Sequence, residues 1–266
     1  QVVVSLNQID THIKIAMVGK YTELTDAYKS LNQALHHAGM KTKTKVEIVY
    51  LDADRLENAD ADAISKCFAG IAGIVVPGGF GSRGIEGKLK AIQYARERKV
   101  PYLGICLGMQ LALIEFARNK AGFIGASSTE FDLDTPHPVV SLITQWKDKQ
   151  GAIQLRDNNA DLGGTMRLGA QECILSKNSL ISSAYGKDNI FERHRHRYEV
   201  NNNLKDKFEE KGMIFSGMSP DNLLPEIIEI KNHPWFVGVQ FHPEFKSRPL
   251  NPHPLFSSFI KAAKNK

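Results

Sequence analysis

An α/β fold is what the sequence predicts: an open, mostly parallel central sheet flanked by helices, with additional antiparallel strands in the C-terminal half. Three observations predict it. Short apolar runs alternate with helical patterns from Ile13 to Ala117, the pattern of repeated strand–helix–strand units. From Pro138 onward, strand-like runs follow one another through turn-rich pieces such as Asp157-Asn158-Asn159 and Leu162-Gly163-Gly164. Gly78-Gly79 and Cys106 fall at the ends of predicted strands, where parallel sheets gather their functional groups.

Ile13 to Val18 and Val46 to Leu51 are apolar enough, and short enough, to be strands. Between them, Ala27, Leu31, Ala34, Leu35 and Ala38 recur at helical spacing, which predicts a helix over Asp26 to Ala38. Ile71 to Val76 is a third strand, ending in Pro77-Gly78-Gly79. A helix from Ile85 to Arg98, a strand from Val100 to Ile105 and a helix after Cys106 complete the parallel half. The second half reads as strands at Val139–Trp146, Glu172–Leu175, Phe191–Val200, Met213–Gly217, Leu224–Ile230 and Phe236–Phe241. Helix is expected to return only at His253 to Lys264. With no internal repeat and no low-complexity linker, the 266 residues are expected to form one domain.

Composition narrows the class. No apolar run approaches the roughly 20 residues that cross a bilayer, and Gln1 to His12 lacks the charged and apolar regions of a signal peptide. The three cysteines, Cys67, Cys106 and Cys173, are widely spaced and odd in number. They form no disulfide framework and suit a reducing, cytoplasmic setting. A net charge of +5 admits anionic metabolites, an acidic partner surface or nucleic acid. No Cys/His spacing suggests a metal site. The start at Gln1 rather than Met reads as a fragment or a processed product.

Cys106 carries the strongest chemical signal. Gly104-Ile105-Cys106-Leu107-Gly108 is the thiol counterpart of the G-x-S-x-G nucleophile elbow. A sharp strand-to-helix turn would push the thiol out of the sheet, and the helix N-terminus would favour a thiolate and any oxyanion beside it. A buried cysteine packed between glycines is the alternative. His137, His233, His242 and His253 each precede a proline, and a lone His-Pro can be no more than a strand stop. Glu244 gives His242 a second meaning. Two residues along an extended backbone return to the same face, so the carboxylate can orient the imidazole as a base for Cys106.

Two further segments have a double reading. Val75-Val76-Pro77-Gly78-Gly79-Phe80-Gly81 matches no phosphate-binding pattern, and neither does Gly19-Lys20. The glycines are a tight turn or, better, place the Gly79 N–H opposite the thiol, forming an oxyanion hole with the N–H of Leu107. In Glu192 to Val200, a strand would put Arg193, Arg195 and Arg197 on one face and His194, His196 and Tyr198 on the other. A solvated face or a nucleic-acid patch is possible for such a run, but no aromatic platform accompanies it. An arginine aimed at a small carboxylate is the more economical use.

Gly-Ile-Cys106-Leu-Gly-Met-Gln, Pro-Gly-Gly79-Phe-Gly and Gln-Phe-His242-Pro-Glu244 together resemble the class I, triad-type glutamine amidotransferases. Ser128-Thr129-Glu130-Phe131, Leu162 to Gly169 and Glu192 to Asn201 narrow the resemblance to the C-terminal glutaminase domains of CTP synthases. The resemblance implies that residues 1–266 are a glutaminase domain in which Cys106 attacks the glutamine side-chain amide, His242 shuttles the proton and Glu244 orients it. It also implies a substrate-binding set of Gly79, Leu107, Gly108, Met109, Gln110, Glu130 and Arg197, with Arg197 on the α-carboxylate and Glu130 on the amino group. In that family an amidoligase domain, absent from this chain, uses ATP and Mg2+ to aminate UTP to CTP. The glutaminase domain itself needs no cofactor. Its expected partners are L-glutamine and the amidoligase domain, without nucleic acid or membrane, and a homotetramer is expected of the full-length enzyme alone. Ser82 to Gly87 sits where the family has a lid associated with activation by GTP, with Ser82 a departure from the usual pattern.

Overall fold

A computed structural model describes residues 9–20, 25–142, 145–147, 153–155 and 166–266. The turns expected at Asp157-Asn158-Asn159 and Leu162-Gly163-Gly164 lie outside the described residues, as does the segment around Gln1.

Both halves of the chain enter one nine-stranded sheet. Its parallel part is β2 (Thr44–Asp52), β1 (Thr11–Gly19), β3 (Ile71–Val76), β4 (Tyr102–Ile105) and β14 (Phe236–Val239), side by side. From β14 the sheet continues antiparallel through β13 (Pro225–Ile230), β12 (Met213–Met218), β9 (Arg167–Leu175) and β10 (Asn189–His196). This is the mixed α/β architecture that the sequence predicts, with β14 from the C-terminal half joining the parallel part and the antiparallel strands following beyond it. A small second sheet holds β11 (Tyr198–Val200), β6 (Pro138–Leu142) and β5 (Ser127–Ser128). β7 (Gln145–Lys147) and β8 (Ile153–Leu155) pair as a hairpin.

Residues of the parallel strands alternate between two cores, as a period of two requires of a sheet covered on both faces. Ala16, Val18, Ile74, Val76 and Tyr102 face one core; Ile15, Met17, Val75, Leu103 and Ile105 face the other. The helix Leu107–Asn119 is buried at every position from Leu107 to Ala117 because the main sheet lies on one side and β5 and β6 on the other. Among the described residues, no helix is long and apolar enough to cross a membrane.

Three expectations need correction. The run Phe191–Val200 is not one strand: it breaks at a bend on Arg197, and β10 and β11 join different sheets. The alternation of arginine and histidine holds only to His196. Helix also returns before residue 253, at Leu180–Tyr185 and Lys205–Glu210. These single turns are too short to carry an apolar period, and the first depends on the Ser179 side chain accepting from Ser182 N. Finally, Val139–Trp146 divides into β6 and β7.

Candidate active site

The site follows from the register of two adjacent strands. β4 and β14 run parallel with Ile105 beside Val239, so both chains leave the sheet at the same level and the same end. Cys106 is the first residue beyond β4 and His242 lies three beyond Val239. Their departures are fixed by backbone bonds: Cys106 N–H donates to Val239 O at 2.7 Å, and His242 N–H to Arg193 O at 2.7 Å.

Cys106 has φ 52° and ψ −104°, a strained conformation for a residue with a Cβ. It is imposed by the strand-to-helix turn, and the flanking glycines make room for it. A Cβ on Gly108 would come within 2.2 Å of Val76 O, and one on Gly104 within 2.7 Å of Gly108 O. The first bond of the following helix runs from Gln110 N–H to Cys106 O at 3.2 Å. The N–H groups of Leu107, Gly108 and Met109 therefore precede the ladder and remain available at a positive helix end. The nucleophile elbow expected from the glycine spacing is the geometry found.

His242 Nδ1 is 2.8 Å from Glu244 Oε1, and the imidazole and Cys106 line the same cavity. Burial alone would lower the His242 pKa, but the thiol and the carboxylate outweigh it and push it up to about 10. The carboxylate fixes one ring nitrogen and leaves the other for the sulfur. Glu244 reaches the ring by a different route from the one expected. Pro243–Lys246 is a 3-10 turn, begun by a proline whose φ suits a first helical turn, so a turn rather than an extended strand returns the carboxylate. Gly78 is required beside the pair: a Cβ there would lie 2.8 Å from His242 Cε1 and 3.5 Å from Cys106 Cβ.

Cys106, His242 and Glu244 line a cavity of about 250 Å3 with Pro77, Gly78, Gly79, Phe80 and Arg195, closed on another side by residues 27–31. Gly79 also stands against Leu107, where a Cβ would meet Leu107 Cδ2 at 3.5 Å. Gln110, Glu130 and Arg197 lie outside this lining. Gln110 is buried, with Nε2 donating to Tyr198 O at 3.0 Å and to Gln240 Oε1 at 3.1 Å. Glu130 Oε1 accepts from Gly81 N–H at 2.8 Å; burial raises its pKa while that N–H and Lys20 pull it down. Arg197 has its Nε buried with no hydrogen-bond partner among the described residues.

The glycine loop is held at three points: by Glu130, by Lys20 Nζ on Phe80 O (2.6 Å) and Gly81 O (3.1 Å), and by Arg83 on Asp54 (2.6 Å). Ile85, Glu86 and Gly87 of the expected lid already belong to the helix Ile85–Glu97. Sequence reasoning missed Gln240, whose Nε2 donates to Cys106 Sγ at 3.7 Å. Its signals are a polar residue inside the apolar run Trp235 to Phe241 and its place at the head of Gln-Phe-His242-Pro-Glu244. Among the described residues, no group of three or more His, Cys, Asp or Glu is arranged to hold a metal ion.

Comparison with known proteins agrees with this geometry. A family model described as glutamine amidotransferase class-I matches residues 23–262. The structure of the Trypanosoma brucei CTPS glutaminase domain with bound acivicin is 37% identical, covers 96% of this chain and 94% of its own, and superposes with a TM-score of 0.84. A Thermoplasma acidophilum protein described as a putative GMP synthase component is 16% identical over 95% of this chain and 94% of its own, with a TM-score of 0.55, a likeness of fold. The match across most of the chain, with the thiol, imidazole and carboxylate brought together at one sheet end, places this protein in the class I glutamine amidotransferase family.

Proposed function

We propose that this chain hydrolyses L-glutamine to glutamate and ammonia and supplies the ammonia to a CTP synthase amidoligase domain, which aminates UTP to CTP. The observation that carries the reading is the gathering of Cys106, His242 and its hydrogen-bonded partner Glu244 around one cavity of about 250 Å3. That volume is below the roughly 300–1,000 Å3 of pockets for drug-sized ligands and suits a small metabolite. The likeness to a CTPS glutaminase domain directs the choice of acceptor.

In this mechanism the Cys106 thiolate attacks the side-chain amide carbon, and the carbonyl oxygen takes up negative charge. The N–H groups of Leu107 and Gly79 stabilise that charge. His242, protonated by its pairing with the thiol, gives its proton to the departing amine, so ammonia leaves and a glutamyl thioester remains. Water then attacks the thioester carbon and His242 takes a proton from it. Glutamate departs as the thiolate re-forms. Glu244 keeps the ring in the orientation that serves both transfers.

Recognition of the amino acid uses Arg197, whose unpartnered Nε suits the α-carboxylate, and Glu130 for the ammonium group. Gly108, Met109 and Gln110 are assigned to the substrate side by the family resemblance alone, since none of them lines the cavity. ATP, Mg2+ and activating GTP belong to the enzyme completed by the amidoligase domain, where the amination is driven. Cys106→Ala is expected to abolish glutamine hydrolysis, followed as ammonia release, with an unchanged circular dichroism spectrum. Hydrolysis by that variant at the parent rate would refute the thioester route.

A further inference from the structure

Gln240 is completely buried at the end of β14, and its carboxamide lies between Gln110 and the Cys106 sulfur. We propose that Gln240 is a further catalytic residue, whose side-chain N–H donates to Cys106 Sγ and stabilises the thiolate, and that Gln110 locks the carboxamide in the orientation this requires.

The orientation follows from a chain of donors and acceptors with one fixed end. Tyr198 O is a backbone carbonyl and can only accept. The Gln110 atom 3.0 Å from it must therefore be the NH2 group. That same NH2 group lies 3.1 Å from the nearer atom of the Gln240 carboxamide, which must then be the oxygen. The other end, the NH2 group of Gln240, is left facing Cys106 Sγ at 3.7 Å. Turning either carboxamide over would set two donors, or two acceptors, against each other inside the core.

A neutral donor in this position acts differently from His242. The imidazolium stabilises the thiolate and must also give up its proton; the carboxamide keeps its proton through the whole cycle. Its hydrogen bond favours the anion whenever the anion is present, including the moment when the thioester breaks and the sulfur leaves. Burial keeps water from competing for the sulfur from this side. The charged and titratable groups beside Cys106 are His242, Glu244 behind it, and Lys29, Arg195 and Tyr28 in the cavity wall. None of them occupies the place of the Gln240 amide.

The mechanistic use rests on the proposed glutaminase reaction, but the effect on the thiol does not, so the two can be tested separately. The probe is iodoacetamide, with modification of the Cys106 peptide followed by mass spectrometry across pH. Gln240→Met removes the donor and keeps the volume. The inflection of the alkylation rate is expected to rise by about one pH unit, so the variant reacts roughly tenfold more slowly below both inflections and equally above them. An inflection unchanged from the parent's would overturn the proposal. If the variant does not fold, the parent protein labelled with 15N-glutamine decides. One side-chain carboxamide N–H pair must shift with the Cys106 inflection, and a titration that moves none overturns the assignment. Failure of the parent protein itself to hydrolyse glutamine, with the inflection still shifted in the variant, would count against the reaction and in favour of the donor.

Discussion

Among the regions that bury histidine beside carboxylate, two titrate in opposite directions. At the catalytic end, His242 meets one thiol and one carboxylate, and burial loses to them: its pKa rises to about 10. Behind it, β10 carries His194 and His196 into a cluster with Arg167, Glu199 and Glu226. There, burial lowers both histidines and the Arg167 charge lowers them further. His194 Nδ1 and His196 Nε2 sit 2.8 Å apart, an arrangement that needs one ring to accept. The cluster's carboxylates respond in the same sense. Burial raises Glu199 to about 8 and raises Glu226, while Arg167 draws both down. A buried imidazole is charged where anions alone face it and neutral where a guanidinium has already taken them. The first arrangement suits the proton transfer proposed for His242. The second ties together β9, β11 and β13, with β10 alongside, and β10 and β13 in turn hold the strand end that carries His242. His242 N–H is bonded to Arg193 O, and Gln240 N–H to Glu226 O.

The largest expected effect breaks the first region. Glu244→Gln keeps the shape but removes the charge and the acceptor-only oxygen that fixes the tautomer. Glutamine hydrolysis should fall by about 10^2–10^4-fold in kcat, with KM little changed. The His242 ring titration, followed by NMR, should move down from its raised position. A fall in rate without that movement would separate catalysis from the charge pairing. Arg167→Met breaks the second region. It leaves Glu199 and Glu226 buried without the cation that bonds both at 2.8 Å, which should cost about 3–5 kcal/mol of stability in urea unfolding, with Tm lower by on the order of 10 °C. A loss below about 1 kcal/mol would mean that the carboxylates simply take up protons and need no partner.

The two regions also differ in how much of them the sequence reveals. The catalytic end was legible because local rules make it. Glycines two residues on either side of Cys106 mark an elbow, and His-Pro-x at a strand end keeps the imidazole and the carboxylate close in the chain. Ile71–Val76 is legible for the same reason: it is a short apolar run, β-branched at Ile71, Ile74, Val75 and Val76, that ends at Pro77-Gly78-Gly79. The Arg167 cluster was not legible. Its members come from β9, β10, β11 and β13, and only the register of two sheets brings them together. The break at Arg197 is hidden because the alternation of basic and aromatic residues continues through it, with no glycine or proline to mark a turn. Gln240 was hidden for a third reason: its contact with Cys106 depends on β4 and β14 being parallel neighbours in register.

The smallest effect is the most discriminating, because the two regions should give stability slopes of opposite sign in pH. His242 holds its proton more tightly in the fold than in the unfolded chain. Its pairing therefore adds stability that is fully present below about pH 6.5 and is lost as pH rises towards about 10. His194 and His196 are neutral in the fold and protonate in the unfolded chain as pH falls through about 6.5. Each should therefore remove stability on the acid side, at up to about 1.4 kcal/mol per pH unit. His194→Gln deletes one of the acid-side contributions and leaves the alkaline side alone. Urea midpoints between pH 5 and 6.5 should then show a slope smaller by that amount, while those between pH 7 and 9 keep the parent's. If the acid slope is unchanged, His194 carries its proton in the fold, and the contrast between the two histidine environments fails at that residue.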